Sequence, residues 1–483
     1  MDEIWRWSAA RMAEAIRARE ITAREAVEAA LLRLEQVEPV SNAFGDRADD
    51  ALTCAKEADA ALARGDDVGP LHGVPIAFKD NHDIAGRATT HGVQAFAQMP
   101  PATETCPPAS RMLEAGAIEV GRTRMPPFGL RWTTETEWFG PTRNPWDPNV
   151  TAGASSGGAG VAVATGVVPL AVGNDIGGSI RYPAAVNGVL GLRPTLRRVP
   201  NWCSPTGDGM PLATREFFVE GPIARTVDDL RIALRILQRP DPRDPEAAAP
   251  PAEIISSGTR PRIAVVRDPG DHAFAIPNLA EVDSALSEAA ERLVALGYDV
   301  VELRIPELGE AATLWWQLTI TEFDTTGYGA GLEQFADTGM RTKWNNMVSL
   351  VREAFGEVGI RDLLGGYYRR TFVRRRLSEL MVDHPVLLLP SSGEPPFRLG
   401  DDVSSRERTR ELMCHQWPNL AVPLLGLPAV GMGTHVRPGA APLGVQLVGR
   451  GFADETVLSV AEDLQRVSGV VTPIDPRPPA PAT

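Results

Sequence analysis

Apolar and polar positions along this chain follow two periods. Thr22-x-x-Glu25 has the form of a capping box, and the apolar positions after it recur at helical spacing, which predicts a helix to Glu38, stopped by Pro39. A second helix is expected over 49–64, closed near Gly65, so that residues 1–65 form a helical N-terminal segment. VPIAF (74–78) is a short β-branched and aromatic run of the kind that forms a buried strand. From residue 117 the apolar runs AIEVG, VVPLAVG, VLGLRP, RIAVVRD, YDVVELRI, HPVLLLP, LPAVGMG and GVQLVG read as strands. Helical patterns lie between them at 105–115, 157–166, 226–237, 281–296 and 454–467. This rhythm predicts an α/β fold: a large mixed, mostly parallel central sheet covered by helices on both faces. Residues 239–261, rich in Pro, Ala and acids, read as a surface connection, and 472–483 as a flexible tail. Strands continue on both sides of the connection, so residues 1–483 are expected to form a single domain.

Composition narrows the function classes. The 483 residues are 43% hydrophobic and 23% charged, as in ordinary soluble globular proteins. A net charge of −14 repels phosphates and anionic lipid, so neither nucleic acid nor membrane is an expected partner. The start of the chain carries acids where a secretion signal needs a basic region, and Gly166 and Pro169 interrupt the most apolar run, which points to a cytoplasmic protein. Cys54, Cys106, Cys203 and Cys414 are scattered, as reduced thiols are, and form no zinc-ribbon spacing. Of 48 basic residues only Lys56, Lys79 and Lys343 are lysine, which singles out each of them.

The informative stretch is 151–195, where dense glycine is combined with serine. Gly177-Gly178-Ser179 can aim consecutive amides at an oxyanion beside a hydroxyl. Ser155, in Gly153-Ala154-Ser155-Ser156-Gly157, matches the form of a nucleophile elbow, but PWDPNVTA before it is no strand. A triad there would need His384, His415 or His435. The other available base is Lys79, at the end of VPIAF. An exposed lysine, with pKa about 10.4, is neutral in only about one molecule in a few thousand at pH 7. Burial lowers that pKa; an ion pair with Asp80 is the ordinary alternative. His72, Asp80, His82, Asp83 and His91 cluster in sequence but match no metal motif, and neither a P-loop nor a dinucleotide fingerprint is present, so no metal or cofactor is expected.

These segments resemble the amidase signature family. Asp175-Ile176-Gly177-Gly178-Ser179-Ile180-Arg181 is similar to its central motif, GASSGG (153–158) to its GGSSGG and GVPIAFKD (73–80) to its lysine motif. FGPTRNPWDP, GLRPT, GPIARTVDDL, GLPAV and PLGVQLVG extend the resemblance over nearly the whole chain, in the right order. It implies an amidase of carboxylic amides, with Ser179 as nucleophile, Ser155 as bridging serine after a cis Ala154–Ser155 peptide, and Lys79 as base. It also implies an oxyanion hole from the amides of Ile176, Gly177, Gly178 and Ser179, with Asp175 and Arg181 bracing the loop. The implied partner is a small-molecule amide, with a homo-oligomer left open. Two rival readings are the amidase subunit of a glutamine-dependent tRNA amidotransferase and a catalytically idle scaffold. Ala154, Asn174, Arg124 and Pro127 depart from the family pattern, the last two near its substrate-binding loop. The aromatics Trp315, Trp316, Phe323, Tyr328, Phe335 and Trp344 make 311–400 the expected substrate region, for an aryl or bulky apolar amide; core packing accounts for the cluster as well.

Overall fold

The computed structural model describes residues 3–202, 210–248, 260–437 and 439–479. Its strands, in chain order, are β1 (Phe44–Arg47), β2 (Pro75–Lys79), β3 (Ile118–Thr123), β4 (Glu135–Thr136), β5 (Gly140–Pro141), β6 (Leu170–Asp175), β7 (Leu190–Arg193), β8 (Val219–Ala224), β9 (Ile263–Val265), β10 (Val300–Glu302), β11 (Val386–Pro390), β12 (Ala429–His435) and β13 (Leu443–Gly449). β4 and β5 form a small ribbon; the other eleven make one sheet in the order β1-β3-β2-β6-β8-β7-β12-β13-β11-β9-β10.

The α/β class and the large mixed sheet are as expected, but the parallel majority is not. Parallel pairing is confined to β3-β2-β6 and β11-β9-β10, and the remaining six pairings are antiparallel. The cause lies in β8, which the apolar pattern misses because Glu220, Gly221 and Pro222 interrupt it. β6, the helix Arg181–Asn187 and β7 form a crossover unit, and β8 inserts between its two strands in the opposite direction. β12 and β13 follow as an antiparallel hairpin.

Both faces of the sheet are buried, and successive side chains serve opposite cores. Ile76 and Phe78 join the cluster formed with helices Ala9–Arg17, Pro107–Glu114, Val227–Leu237, Ala280–Ala295 and Asp454–Ser468. Ala77 between them faces the helices Ala23–Ser41, Ala51–Arg64 and Gly157–Ala164. Farther along that side, Leu387 and Leu389 pack under a helical layer that includes Pro306–Thr325, Thr338–Phe355 and Trp417–Leu425. Most of the expected substrate region is therefore helical.

The capping box at Thr22 and Glu25 is formed, with both reciprocal bonds present. Pro39, however, does not stop that helix, which runs to Ser41. A proline this close to the end removes one intrahelical bond without breaking an extended ladder, and the stop is made by Asn42, left-handed at φ 49°, whose N–H reaches the Glu38 carbonyl. The C-terminal stretch expected to be flexible is extended but held as far as Arg477: the Ile474 N–H donates to Ala164 and the Arg477 N–H to Pro145. The connection over 239–261 joins strands of the same sheet; part of it, like Cys203 and the last four residues, lies outside the described residues. No helix among the described residues is long and apolar enough to cross a membrane.

Candidate active site

Three segments converge at the ends of β2 and β6. Lys79 is the last residue of β2 and is fully buried. Its Nζ donates to Ser155 Oγ at 2.7 Å and to Asn174 Oδ1 at 2.6 Å. Burial lowers the amine's pKa from its ordinary 10.5 to about 7, although the charges of Glu220 and Asp175 pull the other way. The alternative pairing with Asp80 is absent: that carboxylate accepts from Thr90 and lies 3.7 Å from an Arg122 nitrogen.

Ser155 follows a cis Ala154–Ser155 peptide and precedes the helix Gly157–Ala164. Gly129, at φ 71°, comes so close that a Cβ on it would stand 3.2 Å from Ser155 Oγ. This glycine closes the loop that Pro127 begins, and Arg124, before it, lays its guanidinium over the Phe139 ring. Ala154, in place of the usual glycine, is wholly buried.

Ser179 sits between β6 and the helix Arg181–Asn187, and its carbonyl accepts from the Ser156 N–H at 3.2 Å. Asp175 organises this turn. Its carboxylate accepts from the N–H groups of Gly178 and Ile180, from Arg181 Nε at 3.0 Å and from Arg181 Nη2 at 2.9 Å, with Arg193 3.5 Å away. Burial alone would raise this carboxyl's pKa, but the two arginines and the Gly178 N–H outweigh it and hold it at about 2. Arg181 is in turn held by Gln446 and the Asn419 carbonyl. Gly178 stands at φ 94°, where a Cβ would fall 2.4 Å from the Asn419 side chain, so only glycine fits.

Of the four amides expected from the motif to form an oxyanion hole, three remain as candidates. The Gly178 N–H is already bonded to Asp175 at 2.9 Å, leaving Ile176, Gly177 and Ser179. Two tryptophans set the direction of this loop. Trp315 Nε1 donates to the Ile176 carbonyl at 2.8 Å and Trp132 Nε1 to the Gly177 carbonyl at 3.2 Å. In a trans peptide the following N–H points the opposite way, so Trp315 aims the Gly177 amide and Trp132 the Gly178 amide.

A cavity of about 30 Å³ opens beside Ser179, walled by Leu130, Trp132, Trp315, Trp316, Ile320 and Met347. Of the expected substrate aromatics, Trp315 and Trp316 line it; Phe323, Tyr328, Phe335 and Trp344 do not. Phe323 packs at a tilt against Tyr328, Phe335 meets Phe96, and Trp344 is buried in the helical layer. A second cavity, of about 670 Å³, is lined by Arg197, Arg374, Arg375 and Arg450 and contains none of Lys79, Ser155 or Ser179, so volume does not locate the chemistry here.

His435 pairs with Glu288, and Ser155 has Lys79 rather than an imidazole as its partner. His72 meets the Ala58 carbonyl, His82 lies between Glu220 and the Lys79 carbonyl, and Asp83 accepts from Thr89. No group of three or more His, Cys, Asp or Glu among the described residues is placed to hold a metal.

Sequence reasoning missed the roles of Asn174, Trp132, Arg193 and Gln446. Gln446 carries a readable signal, as a polar residue inside an otherwise apolar strand, and Arg193 a weaker one at the end of β7. Trp132 carries none.

A buried lysine bonded to a serine, beside a glycine-rich turn of ordered amides, is an arrangement suited to acyl transfer. The family model for amidases matches residues 25–458, and the chain belongs to the amidase signature family, hydrolases of carbon–nitrogen bonds other than peptide bonds. It is 35% identical to an indoleacetamide hydrolase of Bradyrhizobium diazoefficiens over 97% of this chain and 88% of that one. It is 31% identical to a glutamyl-tRNA(Gln) amidotransferase subunit of Synechococcus, over 94% of this chain and 95% of that one. Among solved structures, a bacterial aryl acylamidase of the family superposes with TM-score 0.80 at 26% identity, over 96% of this chain and 97% of the other.

Proposed function

We propose that the chain hydrolyses an aryl or other bulky apolar amide through an acyl-enzyme on Ser179. The observation that carries this is the 2.7 Å bond from the buried Lys79 to Ser155, in the same site as the Asp175-braced turn. Neutral Lys79 takes the Ser155 proton as Ser155 takes that of Ser179, whose oxygen attacks the amide carbon. The carbonyl electrons move onto oxygen, where the amides of Ile176, Gly177 and Ser179 receive the charge. The proton returns through Ser155 to the leaving nitrogen, the carbon–nitrogen bond breaks, and water releases the acid by the reverse relay.

The tryptophan walls and the resemblance to an indoleacetamide hydrolase support an aromatic acyl group. The cavity as it stands holds about one water-sized group. A larger acyl group therefore displaces wall side chains, among which Met347, unbranched, moves at least cost. The acidic charge and scattered cysteines support a cytoplasmic location.

The test is labelling with a fluorophosphonate followed by peptide mapping, together with a hydrolysis panel. Label on Ser179 and turnover of indole-3-acetamide or anilides are expected. Label on Ser155 would overturn the assignment of the nucleophile. Turnover of glutamine alone, or co-purification of a second subunit, would favour the amidotransferase reading.

A further inference from the structure

We propose that Asn174 is a positioning residue that aims the lone pair of the Lys79 amine at Ser155; this rests on Lys79 acting as the base. Asn174 lies on β6, buried, and its side-chain amide is held at both ends. Its Oδ1 accepts from Lys79 Nζ at 2.6 Å, and its Nδ2 donates to Asn81 Oδ1 at 2.9 Å. The ammonium form can only donate and so selects the amide oxygen, and in that orientation Nδ2 is the end that donates to Asn81.

A neutral amine has two N–H donors and one lone pair, an ammonium three donors and none. Toward Lys79 the Asn174 oxygen can only accept, so in either protonation state one N–H is committed to it. The other fixed neighbour of Nζ is Ser155 Oγ, and the lone pair of the neutral amine is left free to take that hydroxyl's proton. A hydroxyl at position 174 could instead donate to the amine and occupy the lone pair. The same carbonyl bond strengthens when Nζ gains its proton, since bonds from a charged donor are the stronger kind. Asn174 thus also opposes burial in setting where the amine titrates, as do the charges of Glu220 and Asp175.

The test is the pH profile of kcat/KM for wild type, Asn174→Asp, Asn174→Leu and Asn81→Leu, with circular dichroism to verify folding. The aspartate adds a counter-charge and should move the rising limb to higher pH by about one unit or more. The leucine removes the acceptor and should move it to lower pH while lowering the plateau by about ten- to a hundredfold, in the range of one mis-set proton-transfer group. Asn81→Leu removes neither hydrogen-bond partner of the Lys79 amine and should lower the plateau severalfold by releasing the Asn174 amide. Folded variants with the wild-type limb and plateau would overturn the positioning role. If Asn174→Leu does not fold, the aspartate and Asn81 variants decide by the same criteria. A wild type without a rising limb, or turnover in Lys79→Met, would instead overturn the assignment of the base.

Discussion

Arg181 and Asp175 form a buried fork, with guanidinium nitrogens 3.0 and 2.9 Å from the two carboxylate oxygens and neither side chain exposed. The pair spans the turn between β6 and the helix Arg181–Asn187, in which Ser179 sits, and it shares its carboxylate with the Gly178 and Ile180 amides. It fixes the backbone on both sides of the proposed nucleophile.

Asp175→Asn should therefore cost stability as well as activity. It leaves Arg181 and Arg193 buried without a counter-charge, a situation worth about 3–5 kcal/mol. Denaturant unfolding should register that loss, and kcat should fall more than KM changes.

The pH dependence follows from Lys79. Its amine titrates at about 7, so kcat/KM should rise with pH through that value as the base becomes neutral. Stability carries the same sign. The unfolded lysine holds its proton up to about 10.5 while the folded one sheds it above about 7, so this group makes stability rise with pH between the two values. Lys79→Met should be inactive yet at least as stable as wild type near pH 6, with the difference shrinking toward pH 10. Denaturation midpoints at both pH values measure this.

Ser155→Ala should keep the fold and lose about 10²- to 10⁴-fold in kcat, the effect of removing the proposed proton relay. Near-native turnover would mean that Lys79 reaches Ser179 without a relay.

Trp315→Phe keeps an aromatic wall but removes the N–H that holds the Ile176 carbonyl. A hydrogen bond of about 1 kcal/mol net corresponds to about a fivefold fall in kcat, with KM little changed. Initial rates over a range of substrate concentrations separate the two constants.

Much of the site was legible in the sequence. Lys79 stood out because the chain uses arginine almost everywhere else, and the glycine-serine stretch because no strand or helix needs it. Asn174 was visible only as a departure, since Asn81, which pins its amide, lies 93 residues away and the contact exists only once β2 and β6 are side by side. β8 was hidden for a different reason. Gly221 and Pro222 erase the apolar run from a strand that is buried along its whole length. Its insertion turned a sheet that reads as parallel into one with an antiparallel centre.

The two indole bonds carry a consequence for how this enzyme can be altered. Trp132 and Trp315 line the cavity beside Ser179 and at the same time bond to carbonyls of the turn proposed to receive the acyl oxygen. Enlarging the pocket at Trp315, which aims the Gly177 amide, should trade catalytic power for substrate range, while Trp132 holds the turn through the Gly177 carbonyl. Leu130, Ile320 and Met347 line the same cavity through side chains that make no hydrogen bond to that loop. Selection or design for new acyl groups has its free variables at those three positions, with the tryptophans kept as fixed points.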